Sequence, residues 1–268
     1  MRRARLWGAL LAMALAGGAW IASGQSTSRR WAQYEAEMQD PVEDPPDAHI
    51  PGEFAFSRLR YRARFRGFGG YERWGIDANK SDRQFIVGLK RLTRVDARSI
   101  EEIVDVDSDE MFNWPWMFAV SVADWVLSDV QALRLRAFLE RGGFLMVDDF
   151  HGEREWNLFL GQMRKVLPEA RVIELEDDAP IFHTVYDLDE RIPIPGANVV
   201  HGPGYERDGV TPHWRAILDA KGRVMVAICF NMDVGDAWEF ADSPDYPEPN
   251  ASMAYRLGIN YVIYSMTH

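Results

Sequence analysis

The sequence predicts an α/β domain with a mostly parallel central sheet flanked by helices and an antiparallel hairpin near the C-terminus. Between residues 117 and 166, short apolar segments alternate with longer segments of helical period, as in a parallel sheet covered on both faces. Segments 214–218 and 224–230 are separated by a short turn containing Gly222, which indicates the hairpin. With 47% hydrophobic residues and a single cysteine, Cys229, the chain relies on its core and not on disulfides.

Periodicity and turn residues define the order of the elements. Ser128 is a suitable N-cap for the central helix, and Gly142-Gly143 a suitable stop. The expected segments are a strand at 53–61, a glycine-rich loop at 67–70, a helix over 81–92, a strand within 95–106, a strand at 117–122, a helix at 128–141, a strand at 144–147, a helix at 153–166, an extended segment at 171–175, an irregular excursion at 178–212, the hairpin, and a helix at 252–266.

The N-terminus has the pattern of an export signal. Three arginines, Arg2, Arg3 and Arg5, precede an apolar run over residues 6–22, and small residues follow. We therefore expect residues 1–24 to be a signal peptide and the protein to be periplasmic or extracellular. Retention of this segment as an inner-membrane anchor is the alternative. Residues 25–52 form a polar, proline-rich linker or arm, in which a short helix at 30–38 is open, and residues 53–268 form the domain.

The charge of the chain excludes one class of partner. The formal net charge is −11, and removal of residues 1–24, with their three arginines and no acids, makes it −14. A surface of this sign repels the phosphate backbone, so we expect no nucleic-acid partner. An envelope protein or membrane complex and a small-molecule ligand remain as partners. The sequence identifies no cofactor, although the acidic balance allows a divalent cation.

The first candidate site follows the strand at 144–147, because ligands of open α/β sheets gather beyond the carboxyl ends of the strands. Asp149, His151 and Glu155 are candidate catalytic residues, and Asp148 is a candidate ligand-binding residue. On a regular strand Asp148 and Asp149 would point to opposite faces. In the alternative interpretation, one of the two aspartates only caps the helix that follows.

The second candidate site follows the strand at 224–230. Asp233, Asp236 and Glu239 are candidate ligands of a hard cation such as Ca²⁺ or Mg²⁺, and Asn231 is a candidate ligand-binding residue. The spacing does not match an EF-hand loop. The alternative is that these residues only form a turn.

Other residues complete the sequence-based expectations. His183, in the irregular excursion, is a further candidate ligand-binding residue, and Cys229 is interpreted as a buried core residue. Trp114, Trp116 and Trp125 are expected to be exposed and available to a partner. The G-x-S-x-G, P-loop, H-E-x-x-H and dinucleotide-binding motifs do not occur.

Five stretches resemble a bacterial family, the DUF4159 domain family. They are FAFSRLRY at 54–61, GGFLMVDDF at 142–150, PIFH at 180–183, NMDVGDAWE at 231–239 and AYRLGINY at 254–261. The resemblance implies a fold similar to that of the class I glutamine amidotransferases, related to the flavodoxin-like arrangement. In those enzymes a cysteine follows the glycine-rich strand, whereas this chain has Asp149 to Gly152 there, which argues against glutaminase chemistry.

Two hypotheses of function remain open. The first is an exported cell-envelope protein with a non-catalytic ligand-binding or assembly domain. The second is a metal-dependent or acid/base hydrolase of an envelope glycan or peptide, in which the two candidate sites form one centre. A separation of the Asp149 and Asp233 carboxylates on the order of 15 Å or more would exclude a shared metal.

Overall fold

The computed structural model describes residues 29–67 and 69–268. The predicted signal segment at 1–24 lies outside these residues. In the two described ranges, no helix has the length and apolarity needed to cross a membrane.

The described residues contain seven strands: β1 (Ser57–Arg60), β2 (Glu102–Asp105), β3 (Trp116–Val120), β4 (Phe144–Asp148), β5 (Val172–Glu174), β6 (His213–Leu218) and β7 (Val224–Phe230). They form one mixed sheet in the order β2-β1-β3-β4-β7-β6-β5. The first five strands in this order are mutually parallel. Strand β6 is antiparallel to both of its neighbours, β7 and β5, and β5 is the last strand on that side of the sheet. The predicted α/β class, the parallel sheet and the C-terminal hairpin are therefore confirmed.

Five α-helices accompany the sheet in the described part of the chain. They are α1 (Lys80–Leu92), α2 (Asp129–Glu140), α3 (Gly152–Val166), α4 (Val234–Glu239) and α5 (Glu248–Thr267). Ser128 caps α2 as expected, through a reciprocal pair of hydrogen bonds with Gln131. Helix α4 replaces the loop expected after β7. It forms because Asp233 accepts a hydrogen bond from the Asp236 amide at 2.9 Å, which caps a short turn of helix.

The core has two layers, one on each face of the sheet. Phe118 of β3 packs with residues of α1, α4 and α5, whereas its neighbours Met117 and Ala119 pack with residues of α2 and α3. All five residues of β3 are buried as a result. This double coverage explains why the strand is apolar throughout and does not alternate with polar residues.

The expectation of exposed tryptophans is wrong for two of the three. Trp116 and Trp125 are fully buried, and only Trp114 is partly exposed. Trp116 lies on β3 against Phe56, with ring centroids 4.8 Å apart, and Trp125 stacks on Phe159 of α3. Since β3 is covered on both faces and Trp125 lies beneath α3, neither ring faces solvent.

Residues 29–52 lie against the domain as an arm. A 3₁₀ helix at Ala32–Glu37 provides Glu37, which accepts two hydrogen bonds from Arg60 of β1 at 2.7 and 2.8 Å. Trp31 donates to the carbonyl oxygen of Glu101 at 3.1 Å, and Arg30 pairs with Glu102 at 2.8 Å. The arm therefore covers the β2 side of the sheet.

Candidate functional site

Several parallel strands end at one edge of the sheet, and the chain leaves three of them in an unusual conformation. Ser121 after β3, Asp149 after β4 and Asn231 after β7 have φ values of 49°, 51° and 61°. Asp77, in the segment before α1, has a φ of 59°. Residues other than glycine rarely adopt this left-handed backbone conformation, because it costs about 1–3 kcal/mol for each residue. Such residues concentrate at functional sites.

Asp149 occupies the sharp turn between β4 and α3. Its Oδ2 accepts a hydrogen bond from the Ser121 hydroxyl at 2.6 Å, and its Oδ1 lies 3.3 Å from Nε2 of His151. Burial opposes ionisation of this carboxyl, but the contacts with His151 and Ser121 and the charge of Arg73 lower its pKa to about 2. Asp149 is therefore a carboxylate, which in turn raises the pKa of the buried His151 imidazole despite the loss of solvent.

The N-terminus of α3 is capped by residues from elsewhere. The Gly152 amide donates to Oδ1 of Asn231 at 2.9 Å, and the Glu153 amide donates to Oδ2 of Asp208 at 3.1 Å. The interpretation of Asp148 or Asp149 as the cap of this helix is therefore wrong, and both side chains remain available to the site.

Glu155 and Asn231 have local structural contacts. Glu155 accepts a hydrogen bond from the His151 amide at 2.8 Å and pairs with Arg207 at 3.0 Å. Besides its contact with Gly152, Asn231 donates to the carbonyl oxygen of Thr211 at 2.7 Å. Both side chains hold the turn after β4 in place.

Asp148, the last residue of β4, joins the two candidate sites. Its Oδ2 accepts hydrogen bonds from the amides of Val234 and Gly235, at 2.7 and 2.9 Å, at the start of α4. Oδ1 has no donor among the described residues. Burial, together with the charge of Asp149, raises the pKa of Asp148 to about 8. The expected opposition of Asp148 and Asp149 applies to a regular strand, and here the strand ends at Asp148.

Three further carboxylates lie close together, two on α4 and one in the segment before α1. Asp77, Asp236 and Glu239 each place a carboxylate oxygen so that all three atoms lie within 4.8 Å of one another. Asp236 and Glu239 are three residues apart on α4 and so share one face of it. Burial, followed by mutual repulsion, raises the pKa of Asp77 and raises that of Glu239 to about 7. We call Asp77, Asp236 and Glu239 the three-carboxylate cluster.

The remaining predicted residues lie in two places. Asp233 caps α4, and burial with the charges of Asp236 and Asp149 raises its pKa, so it belongs to the same acidic region. His183 contacts the carbonyl oxygen of Asp177 at 2.8 Å and the carboxylate of Asp187 at 3.1 Å, within its own loop. The structure thus brings the residues after β4 and β7 together and gives His183 other partners.

Asp77 is the residue that sequence reasoning missed. Arg58 of β1 donates to the carbonyl oxygens of Trp74 and Ile76 at 3.1 and 2.9 Å, which fixes the segment that leads into Asp77. The arm contributes as well, because Gln39 accepts from the Asp77 amide at 3.4 Å. The only sequence signal for Asp77 was its position as a polar residue shortly before the helix predicted at 81–92. Polar residues precede most helices, so this signal is not specific.

The raised pKa of Asp148 predicts that the stability of the folded protein depends on pH. An aspartate in an unfolded chain has a pKa of about 3.9, so the folded state binds the carboxyl proton of Asp148 more tightly than the unfolded state does. The resulting stability is fully present below about pH 4 and is lost as the pH rises towards about 8. A one-unit difference in pKa corresponds to about 1.4 kcal/mol. We expect the free energy of unfolding, measured with urea in EDTA, to fall between pH 5 and pH 8.

Asp148→Asn should reduce this fall and should unfold at higher urea than the parent chain at pH 8. The amide keeps an acceptor for Val234 and Gly235 but carries no buried charge. Glu169→Gln, at an exposed position, is the control and should follow the parent at both pH values. An equal decline in parent and Asp148→Asn would show that Asp148 is not the group responsible.

Fold and site together define an α/β protein with a buried acidic site at the carboxyl edge of a parallel sheet. The chain belongs to the family described as Domain of unknown function (DUF4159), whose model matches residues 55–266. The match begins just before β1 and ends within α5, so it includes every strand and helix of the sheet domain. No curated protein matches the chain.

Proposed function

We propose that this chain is an exported cell-envelope protein whose domain binds a positively charged ligand at the acidic edge of the sheet. The observation that carries this proposal is a set of buried and half-buried carboxyl groups, three of which have an oxygen without a hydrogen-bond donor among the described residues. Its members are Asp77, Asp148, Asp149, Asp233, Asp236 and Glu239, which we call the acidic site.

The nearby cations are engaged elsewhere. Arg58 is paired with Asp82, and Arg73 donates to Asp124 at 2.8 Å. Lys80 lies 3.6 Å from Asp242 and over the ring of Phe240. Among the described residues, oxygens of Asp77, Asp148 and Glu239 are buried without any hydrogen-bond partner. Buried groups of this kind are costly, and a cationic ligand would remove the cost.

The turn after β4 supports binding over glutaminase chemistry. Asp149 stands where a thiol nucleophile would be expected, and Cys229 is buried within β7. Export is supported by the basic and apolar residues of segment 1–24, and an envelope protein or membrane complex as partner is part of the same proposal.

A thermal-shift experiment tests the cationic ligand. We expect the unfolding temperature of the full-length chain to rise with Mg²⁺, Ca²⁺, putrescine or spermidine, and not with glucose 6-phosphate, at constant ionic strength. Binding to the folded state alone stabilises it by about 2.7 kcal/mol when the ligand is at 100 times its Kd. The variant Asp77→Asn/Glu239→Gln, which removes two carboxylates of the acidic site, should reduce the shift, whereas Glu169→Gln should not.

An unchanged unfolding temperature with all four cations would contradict the proposal. So would an equal shift in the parent and in the double variant, because the cations would then bind somewhere other than the acidic site.

A metal-dependent hydrolase is the second candidate function. It is favoured by the contact between Asp149 and His151, which places an acid/base residue beside the acidic site. A cation held by the carboxylates of the acidic site would supply Lewis-acid activation of a water molecule. The attacking water would lose its proton to one of these carboxylates, and protonated His151 would donate its proton to the leaving group. Hydrolysis of peptidoglycan or glycan fragments by the purified chain, lost in His151→Ala, would establish this function in place of binding alone.

A further inference from the structure

We propose that Asp77, Asp236 and Glu239 form a binding site for one hard divalent cation of the Ca²⁺ or Mg²⁺ type. This inference rests on the proposed function and deepens it, because it replaces a ligand of positive charge by a metal ion with named protein ligands.

The spacing of the three-carboxylate cluster suits a shared ion. Oxygen ligands lie about 2.3–2.6 Å from Ca²⁺ and about 2.0–2.1 Å from Mg²⁺. Two ligands of one ion can therefore be separated by at most about 5 Å, when they lie on opposite sides of it. The three carboxylate oxygens all lie within 4.8 Å of one another, so each can reach a common ion with small adjustments.

Two of the ligand side chains end in oxygens without a partner. Asp77 is 2% exposed and Glu239 is 3% exposed, yet Oδ2 of Asp77 and Oε2 of Glu239 accept no hydrogen bond from the described residues. Most buried carboxylate oxygens in proteins are hydrogen-bonded. These two atoms point to a further binding partner that neither the backbone nor a neighbouring side chain supplies.

The guanidinium of Arg58, whose charge acts on Asp77, is not that partner. Arg58 has five N–H groups, and all of them are used: on Asp82 twice, on Ser81, and on the carbonyl oxygens of Trp74 and Ile76. Its charge is matched by the buried carboxylate of Asp82. Arg58 therefore positions the segment before Asp77 without neutralising the cluster.

The cluster is also held in place before any ion binds. One carboxylate oxygen of Asp236 accepts from the Ala197 amide at 2.7 Å, which orients the group. Gly235 allows the close approach of Asp77, because a Cβ at that position would lie 2.4 Å from Oδ2 of Asp77. Ligands fixed by the surrounding structure lose little conformational entropy on binding.

The ligand chemistry indicates the type of metal. The cluster offers three carboxylates and neither sulfur nor imidazole, which favours Ca²⁺, Mg²⁺ or Mn²⁺ over Zn²⁺ and Cu²⁺. Water would complete the coordination, as is usual for Mg²⁺.

Calorimetric titration of the full-length chain with CaCl₂ and with MgCl₂ tests the site. We expect one ion per chain, and Asp77→Asn and Glu239→Gln should each weaken binding by at least about 10-fold. Both variants are close in size to the parent residue, and Asn tolerates the left-handed backbone at position 77. Glu169→Gln is the matched control: it removes one carboxylate in the same way as Glu239→Gln but at an exposed position outside the acidic site, so the affinity should change by less than about 3-fold.

Crystals soaked in Mn²⁺ give a second measurement, which shows the position of the bound ion. An anomalous peak between Asp77, Asp236 and Glu239 is the expected result. A peak elsewhere, the absence of both a peak and heat of binding, or an equal loss of affinity in Glu169→Gln would each overturn the proposal. If putrescine or spermidine still stabilises the chain while neither metal binds, the metal site is wrong and the cationic-ligand function stands.

Discussion

Replacement of Arg58 by methionine is expected to lower the free energy of unfolding by about 3–5 kcal/mol, because it leaves the Asp82 carboxylate buried and unpaired. Arg58 and Asp82 are both 0% exposed, and the guanidinium contacts the carboxylate through Nε and Nη2. Burial raises the pKa of Asp82, although the charge of Arg58 opposes this rise. Urea unfolding of parent and variant at one pH measures the loss.

The double variant Arg58→Met/Asp82→Leu distinguishes the contribution of the ion pair to stability from that of side-chain packing in the core. Apolar residues of similar size often replace a buried ion pair at little cost, so the double variant should regain much of the stability. Recovery should be incomplete, because the carbonyl oxygens of Trp74 and Ile76 also lose their donor. A loss below about 1 kcal/mol in Arg58→Met would mean that the pair behaves as an exposed one.

The same variant links stability to the site. The segment held by Arg58 leads directly into Asp77, so Arg58→Met should also weaken cation binding even where the chain remains folded. Arg58 is a positioning residue in this proposal, since it contacts the backbone before Asp77 and not the proposed ion.

Replacement of Trp238 by alanine is the second change with a large expected effect, a loss of about 3–5 kcal/mol. Trp238 is fully buried, and its ring lies 4.4 Å from that of Phe85 and 5.5 Å from that of Phe118, measured between centroids. A Cβ on Gly258 would lie 2.7 Å from the Trp238 ring, so no space remains on the α5 side. The cavity left by alanine would therefore be surrounded by rigid neighbours, which makes collapse difficult.

Urea unfolding measures the stability loss in Trp238→Ala, and two further variants serve as controls. Trp238→Phe retains most of the volume and should cost less than Trp238→Ala, and Trp114→Ala removes a partly exposed ring and should cost less again. Equal losses of unfolding free energy in all three variants would contradict a specific role for the packing of Trp238 in the core. Since Trp238 lies between Asp236 and Glu239, its removal should also disturb the three-carboxylate cluster.

The fold could be predicted because its signals are local. Apolar segments of strand length, helices with an apolar face and the glycine stop after the central helix each reside in a few consecutive residues. Their order then limits the topology, since parallel strands need crossovers. Helix α4 was missed because it has only six residues and depends on one cap, Asp233.

The candidate site could be predicted only in part. Asp148, Asp149, His151, Asp236 and Glu239 were identified because they follow strands whose carboxyl ends meet at one edge. Trp116 and Trp125 were predicted wrongly to be exposed, because residue type alone does not show that Trp116 lies within β3 or that Trp125 packs against α3. Whether a polar residue acts as a cap or a ligand depends on its neighbours in space.

By itself, the sequence determined the α/β class, the family and the acidic character of the strand ends, because these depend on residue type and spacing along the chain. Only the tertiary structure decided which carboxylates meet. Asp77 and Glu239 are 162 positions apart and approach because Arg58 and the arm hold one segment while Asp148 anchors the start of α4. A contact between such distant residues results from packing of the whole domain, and no local pattern records it.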